Sequence, residues 1–269
     1  MAASDDGDRP PEFVEALAKG LAILEAFDAE HPLMTLSEVA RRVGLSPAAA
    51  RRALITLETL GYVGRAEKQF FLRPRIMSLG SAFHYAGRFD EVLQPDLRGL
   101  VERFGDAASV GTLDGDNVIY IAHVSVQRAR RAAAVAGARY PAHCTAIGRV
   151  LLAALPEAQR GAWLAQASLR ALTEKTVTDR AALAAILEEV RAEGYAATVD
   201  QLDYGITALA VPIRNTAGRT IAALNTSGYT GLVTPESLVR DRLPALREAA
   251  SHIAHEIRRF PVLQSVLGG

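Results

Sequence analysis

Two helix-start signals separated by one glycine constrain this chain more than any other feature. Thr35-Leu36-Ser37-Glu38 is a capping box, in which the Thr35 hydroxyl and the Glu38 carboxylate each satisfy an orphan backbone N–H. Ser46-Pro47 opens another helix, with Ser46 as cap and Pro47 at the first helical position, where its missing N–H costs nothing. Gly44, between them, has the backbone freedom a sharp turn needs. Two capped helices joined in this way predict a helix-turn-helix. Leu36, Val39, Ala40 and Val43 form the inner stripe of the first helix, and Ala50, Leu54, Leu57 and Leu60 that of the second. The second stripe directs Ala48, Ala49, Arg51, Arg52 and Ile55 elsewhere. Small residues beside two guanidiniums let a helix enter a major groove about 12 Å wide while arginine reaches guanine edges or phosphates.

The flanking sequence extends this pattern. Val14, Leu17, Leu21 and Leu24 give a preceding helix, over about 14–29, an apolar face that needs a partner. After Gly61, Tyr62-Val63 and Phe70-Phe71-Leu72 flank the polar tip Arg65-Ala66-Glu67-Lys68 and predict a two-stranded wing. The chain is formally neutral, but an average can hide a local patch. Between Thr35 and Arg75, Arg41, Arg42, Arg51, Arg52, Arg65, Lys68, Arg73 and Arg75 face only Glu38, Glu58 and Glu67, eight minus three, or +5. Phosphate binding needs such a local excess. The alternative is a small helical domain with solvated arginines. The order of cap, turn, cap, small-residue helix and basic wing favours nucleic acid. The candidate DNA contacts are Thr35, Ser46, Ala48, Ala49, Arg51, Arg52, Arg65 and Lys68.

A length of 269 residues fits two domains. Residues 1–11, acidic and polar, read as a disordered leader, neither signal nor transit peptide. No run reaches the roughly 18 to 20 apolar residues of a membrane helix. The single cysteine, Cys144, excludes an intramolecular disulfide and a cysteine-rich zinc site and suits a reducing cytoplasm. Helical spacing at Ile76, Leu79 and Phe83, then a helix over about 90–104, reads as a connector leading into the second domain. Beyond Gly105 the pattern changes to strands at 108–113, 117–124, 196–199, 205–213 and 219–226, with helices at 145–155, 156–165, 179–193 and 234–260. A mixed sheet covered by helices is expected.

The segments 16–24, 36–45, 57–63 (Leu-Glu-Thr-Leu-Gly-Tyr-Val) and 141–149 (Pro-Ala-His-Cys-Thr-Ala-Ile-Gly-Arg) resemble the IclR family of transcriptional regulators over nearly the whole chain. Residues 137–156 and 223–227 are most similar to the branch that regulates the β-ketoadipate pathway and responds to protocatechuate, 4-hydroxybenzoate or related acids. The resemblance implies an α+β protein. Its parts would be a winged helix-turn-helix at 12–74, a helical linker at 75–89, and a GAF-like effector-binding domain at 90–269, a mixed sheet flanked by helices. It further implies a homodimer or a dimer of dimers, contacting through the first helix and connector, on pseudo-palindromic operator DNA. RNA polymerase is a further candidate partner; no cofactor, metal or membrane association is expected.

By the same resemblance the effector pocket lies between strand ends and the start of the helix opened by Thr145. Ala146 and Ile147 occupy backbone-donor positions, Asn225 and Ser227 polar positions on the last strand, and Asp200 an acidic position. Ala208 stands where the family often has cysteine, and Asn225 where it often has serine. A helix start presents free N–H groups and partial positive charge, a ready carboxylate site. Asn225 and Ser227, two apart on a strand, face one side; the competing reading of each is a strand-end turn. Arg128, Arg130 and Arg131 could pair with an acid but more often such runs are solvated. An enzyme with a Cys144 nucleophile at the helix start is the rival reading, although neighbouring His143 rarely faces an adjacent thiol and no acid or oxyanion motif accompanies it. His252 and His255 share a helix face but make no full zinc set. No phosphate loop is present. The sequence therefore predicts a ligand-responsive DNA-binding regulator with no catalytic residues.

Overall fold

Capping decides where the first helices begin. The structure, a computed structural model, describes residues 10–126 and 134–268; most of the expected leader lies outside them. The chain divides into two compact units, Met1–Phe83 and His84–Gly269. In the first, α1 (Glu15–Glu25) precedes β1 (Met34–Thr35), α2 (Leu36–Arg42) and α3 (Pro47–Thr59), followed by β2 (Val63–Ala66) and β3 (Gln69–Leu72). Thr35 and Glu38 form the reciprocal capping box, and the Ser46 hydroxyl accepts from the Ala49 N–H. Each such cap contributes about 1 kcal/mol. Gly44 turns the chain at φ +67°, a left-handed conformation that a side chain disfavours.

Ile23, Ala26, Met34, Val39, Leu54, Leu57, Val63 and Phe70 form the core of this unit. Met34 pairs with Phe70, so β1 adds a third strand, order β1-β3-β2, to the expected two-stranded wing. One residue of the expected inner stripes lies elsewhere than its periodicity suggested. Leu60, at the C-cap of α3, is half exposed. On α1, Ile23 and Ala26 face the core, whereas Val14, Leu17 and Leu21 are exposed. The second half of α1 is apolar on more than one face, and the unit covers only one.

After a 3-10 turn at Pro74–Ile76, α4 (Met77–Gly87) carries the chain across the division. The single helix expected over 90–104 is two, α5 (Phe89–Val92) and α6 (Gln94–Phe104). Pro95 lacks the N–H that would continue the first helix and restricts the residue before it, so the chain restarts there.

The second unit is built on six strands: β4 (Ala107–Asp114), β5 (Asn117–Ser125), β6 (Arg139–Pro141), β7 (Ala196–Val199), β8 (Ile206–Arg214) and β9 (Thr220–Tyr229). Their order is β6-β5-β4-β9-β8-β7. Every pairing is antiparallel, which corrects the expected mixed sheet. The long helical connection from β6 to β7 joins opposite edges instead of returning to a neighbouring strand, so no parallel pair arises. That connection contains α7 (Ala146–Ala154), α8 (Glu157–Gln166) and α9 (Arg180–Glu193); α10 (Pro235–Ile257) and α11 (Pro261–Gly268) follow β9.

Strand alternation separates two cores. Ala108, Val110, Leu209, Val211 and Leu224 pack with α5, α6 and α10. Ala208, Ala210 and Ala223, on the other face, pack with α7 and α9. Against β4, β5 pairs Ala122 with Val110 and then Tyr120 with Gly111, so Ile121 is an extra residue, a bulge. The bulge reverses the alternation, and Tyr120 and His123, three apart, come to the same face.

Candidate functional site

The DNA-facing candidates are held by the caps just described. Ser46, Ala48, Arg51 and Arg52 lie exposed along the first half of α3, with Ala49 half-buried. Thr35 is committed to the α2 cap: its hydroxyl donates to Glu38 Oε2 at 2.8 Å, and its N–H donates to the same oxygen at 2.7 Å. The basic side chains divide into two groups. Arg42 pairs with Asp28, Arg75 donates to the Leu60 carbonyl at 2.7 Å and stacks over Tyr62, and Arg65 donates to the Glu67 carbonyl at 2.9 Å over the Phe70 ring. Arg41, Arg51, Arg52, Lys68 and Arg73 are exposed with no ion pair among the described residues. The +5 excess thus overstates the cations free to reach phosphate. Arg65 in particular is exposed but folded back on the wing's own backbone and the Phe70 ring.

A cavity of about 460 Å³ opens on the α7 face of the second unit's sheet. Its floor is two cross-strand rows. One runs Thr198, Ala208, Ser227, Ala107, Ser125; the next runs Asn225, Ser109, His123. Small side chains at 107, 109, 208 and 227 leave empty the space that β-branched residues would fill on a packed sheet face. Tyr120 and Tyr140 make an aromatic wall, their ring centroids 5.0 Å apart, and Tyr120 stacks on His123 at 6.3 Å.

The start of α7 closes another side, where Cys144, Thr145 and Ala146 line the cavity. The Thr145 hydroxyl accepts from the Gly148 N–H at 3.1 Å. Ala146 and Ile147, the first two helical residues, have no acceptor within the helix for their N–H groups. Glycine at 148 is required here, because a Cβ would lie 2.1 Å from the Ala142 carbonyl oxygen. That close approach seats the helix start on the turn before it.

Of the residues expected to hold an effector, Thr145, Ala146, Ala208, Asn225 and Ser227 line this one cavity. Two do not. The Ile147 side chain is fully buried in the core, leaving only its backbone at the helix start. Asp200 is a structural clasp. In left-handed backbone conformation, its carboxylate pairs with Lys175 at 3.0 Å and accepts from the Thr230 hydroxyl and the Gly205 N–H, each at 2.8 Å. The Lys175 and Thr230 bonds hold its carboxyl below the usual carboxylate range. Asp203 and Leu202 stand on the wall instead. Arg128, Arg130 and Arg131 lie outside the described residues.

Sequence reasoning missed Ser109, Tyr120, His123 and Tyr140. A strict period of two puts Tyr120 and His123 on opposite faces, and no residue-level signal announced the bulge; the short β6 that carries Tyr140 was also unforeseen. Two buried polar atoms on this wall have no hydrogen-bond partner, Asn225 Oδ1 and His123 Nε2.

Nucleophilic chemistry finds no support here. Burial pushes the Cys144 thiol up to about 11, and the thiol donates to the Pro141 carbonyl. His143 bonds the Arg170 carbonyl at 3.1 Å instead of the thiol. His252 pairs with Asp96, and no cluster among the described residues could hold a metal ion. No helix of the described residues is long and apolar enough to cross a membrane.

Comparison with known proteins agrees with both units. Residues 16–67 match the IclR helix-turn-helix domain, and residues 88–255 match the bacterial transcriptional regulator IclR C-terminal domain. The Pca regulon regulatory protein of Pseudomonas putida is 35% identical over 248 residues, 92% of this chain and 85% of that protein. The p-hydroxybenzoate hydroxylase transcriptional activator of Acinetobacter baylyi is 34% identical over 93% of this chain and 94% of its own. Among solved structures, an IclR homolog from Microbacterium hydrocarbonoxydans complexed with 4-hydroxybenzoate superposes with a TM-score of 0.72 at 26% identity, over 91% of this chain and 99% of that one. The chain belongs to the IclR family of DNA-binding transcriptional regulators.

Proposed function

We propose that this regulator controls genes of aromatic-acid catabolism, reading operator DNA with α3 and holding a small aromatic carboxylate in the cavity of its second unit. One observation carries the reading: a single cavity combines unbonded helix-start N–H groups, a two-tyrosine wall and buried polar atoms without partners. The helix start suits a carboxylate, because N–H dipoles and the helix field both favour negative charge. The tyrosines suit a flat ring by offset or edge contacts. The p-hydroxybenzoate hydroxylase transcriptional activator among the relatives, and the solved IclR homolog complexed with 4-hydroxybenzoate, support the same class of ligand.

On the DNA side, Arg51 and Arg52 present guanidiniums beside the small Ala48 and Ala49, with Ser46 at the helix start and Lys68 and Arg65 on the wing. A cytoplasmic homodimer, or a dimer of dimers, would place two copies of α3 on a pseudo-palindrome. The exposed Val14, Leu17 and Leu21 of α1 offer the apolar surface for it.

Calorimetry tests the effector: 4-hydroxybenzoate and protocatechuate are each titrated against their methyl esters. The acids bind and the esters bind at least tenfold more weakly if the helix start holds the carboxylate. Equal affinities remove that account, and no binding of either moves the effector to non-aromatic acids.

A further inference from the structure

The cavity's second polar demand lies on its sheet floor. Ser109 is the cross-strand partner of both His123 and Asn225, one on each side. Its Oγ is 2.9 Å from His123 Nδ1. The outer nitrogen, Nε2, is buried and bonded to nothing, and so is the Oδ1 of Asn225, itself 95% buried when 5% of its surface remains exposed. Both side chains line the cavity. A buried polar atom without a partner costs about 1 to 3 kcal/mol, so two of them on residues that line one cavity point to a ligand that supplies the missing bonds.

The chemistry of that ligand group follows from the two atoms. Burial lowers the His123 pKa and keeps the ring neutral, so it carries one N–H. In the tautomer whose Nδ1 accepts the Ser109 hydroxyl, the proton resides on Nε2, which is then a donor. Asn225 Oδ1 can only accept. The ligand must therefore offer an acceptor to one and a donor to the other. A hydroxyl group does both; a carboxylate or an ether oxygen can only accept, and a hydrogen or methyl substituent does neither.

We propose that His123 and Asn225 read a hydroxyl on the effector from the sheet side of the cavity, making His123 a specificity-determining residue. This rests on the carboxylate reading above, since the hydroxyl is recognised on a molecule whose acid group sits at the α7 start. The bulge at Ile121 is what creates the site, because without it His123 would face the opposite core. Effectors are then hydroxylated acids, and unsubstituted ones are rejected because they leave both atoms unsatisfied.

The test is calorimetry of the full chain with 4-hydroxybenzoate, 3-hydroxybenzoate, benzoate and 4-methoxybenzoate, comparing wild type with His123→Phe and His123→Gln. In the wild type at least one hydroxybenzoate binds tenfold or more tightly than benzoate and methoxybenzoate. His123→Phe keeps a flat ring but no N–H: the hydroxybenzoate loses about tenfold while benzoate is unchanged. His123→Gln, with an amide N–H in similar reach, restores part of the preference. Circular dichroism checks that both variants fold, and Asn225→Leu provides a second route to the same collapse of preference should His123→Phe not fold. If wild type binds benzoate and both hydroxybenzoates equally, or if the preference survives in His123→Phe and Asn225→Leu, the assignment is wrong while the carboxylate site stands. If no benzoate binds at all, the aromatic-acid reading fails and this assignment fails with it.

Discussion

Arg242 of α10 and Asp106, just before β4, are 136 residues apart in sequence and meet at 2.9 Å, nearly buried on both sides. Arg242 also donates to the Thr226 hydroxyl at 3.0 Å and lies over the Phe104 ring, 5.0 Å from its centroid. Asp106 stands on the cavity wall, so this pair ties the wall to the long helix behind the sheet. Removing one partner of a buried pair strands the other charge. Arg242→Met therefore destabilises by about 3 to 5 kcal/mol, and the double variant Arg242→Met with Asp106→Leu by clearly less. Urea unfolding of the three proteins measures both. A double variant no more stable than Arg242→Met would show that the loss comes from packing on Phe104 and not from the unpaired carboxylate.

Arg52→Ala weakens operator binding by about 1 to 3 kcal/mol, one lost base or phosphate contact, without unfolding the protein. Arg51→Ala has a comparable or smaller effect. Arg75→Ala removes the tether to the Leu60 carbonyl and the stacking on Tyr62, so its main effect is on stability. Mobility shifts at matched salt, alongside melting curves, separate the two kinds of loss. Wild-type affinity in Arg52→Ala would put α3 outside the groove.

The exposed face of α1 predicts an oligomer with or without ligand. Val14, Leu17 and Leu21 are each about half exposed or more in the single chain, and such a face is stable in water when it is covered. Analytical ultracentrifugation at micromolar concentration shows no stable monomer for the wild type, and Leu17→Glu with Leu21→Glu shifts the population towards monomer. A monomeric wild type that binds a full operator would remove α1 from the interface.

Asn225→Ala or Ser227→Ala weakens effector binding roughly tenfold or more and leaves DNA affinity without effector nearly intact. Titration of each variant with 4-hydroxybenzoate, and of each with operator DNA, reads the two effects separately. Loss of DNA affinity in the absence of effector would mean that these residues support the fold of the second unit instead of the ligand.

His252 and Asp96 predict a small pH effect. The hydrogen bond that His252 Nδ1 donates to the Asp96 carboxylate, at 2.8 Å, raises the His252 pKa above 6.5 in the folded protein. A raised folded-state pKa means the stabilisation is complete below the unfolded value and is lost as pH rises through the folded one. The imidazole is largely exposed, so screening keeps the contribution under about 1 kcal/mol. Wild type is thus more stable than His252→Gln at pH 5.5, and the difference vanishes above pH 8, as thermal unfolding at the two values would reveal. A difference that persists at high pH would assign it to packing.

Local chemistry determined the first unit almost completely. Thr35, Glu38, Gly44, Ser46 and Pro47 act through neighbours three or four residues away, and such contacts are written directly into spacing. The strands of the second unit other than β6 were legible for the same reason, since their boundaries fall within a few residues of where the residue pattern placed them. Sheet direction was not legible, because which strands become neighbours depends on where a long connection returns, and no residue encodes that locally. The cavity lay further out of reach. Its floor is set by cross-strand pairing of Ser109 with both His123 and Asn225, and by one extra residue, Ile121, that reverses the faces of β5. Asp200 shows the same limit: its acidity was visible, but only the folded chain brings Lys175 and Thr230 to its carboxylate and takes it off the cavity wall. Periodicity reports which face a residue would occupy in an ideal strand; only the packed sheet decides what stands opposite it.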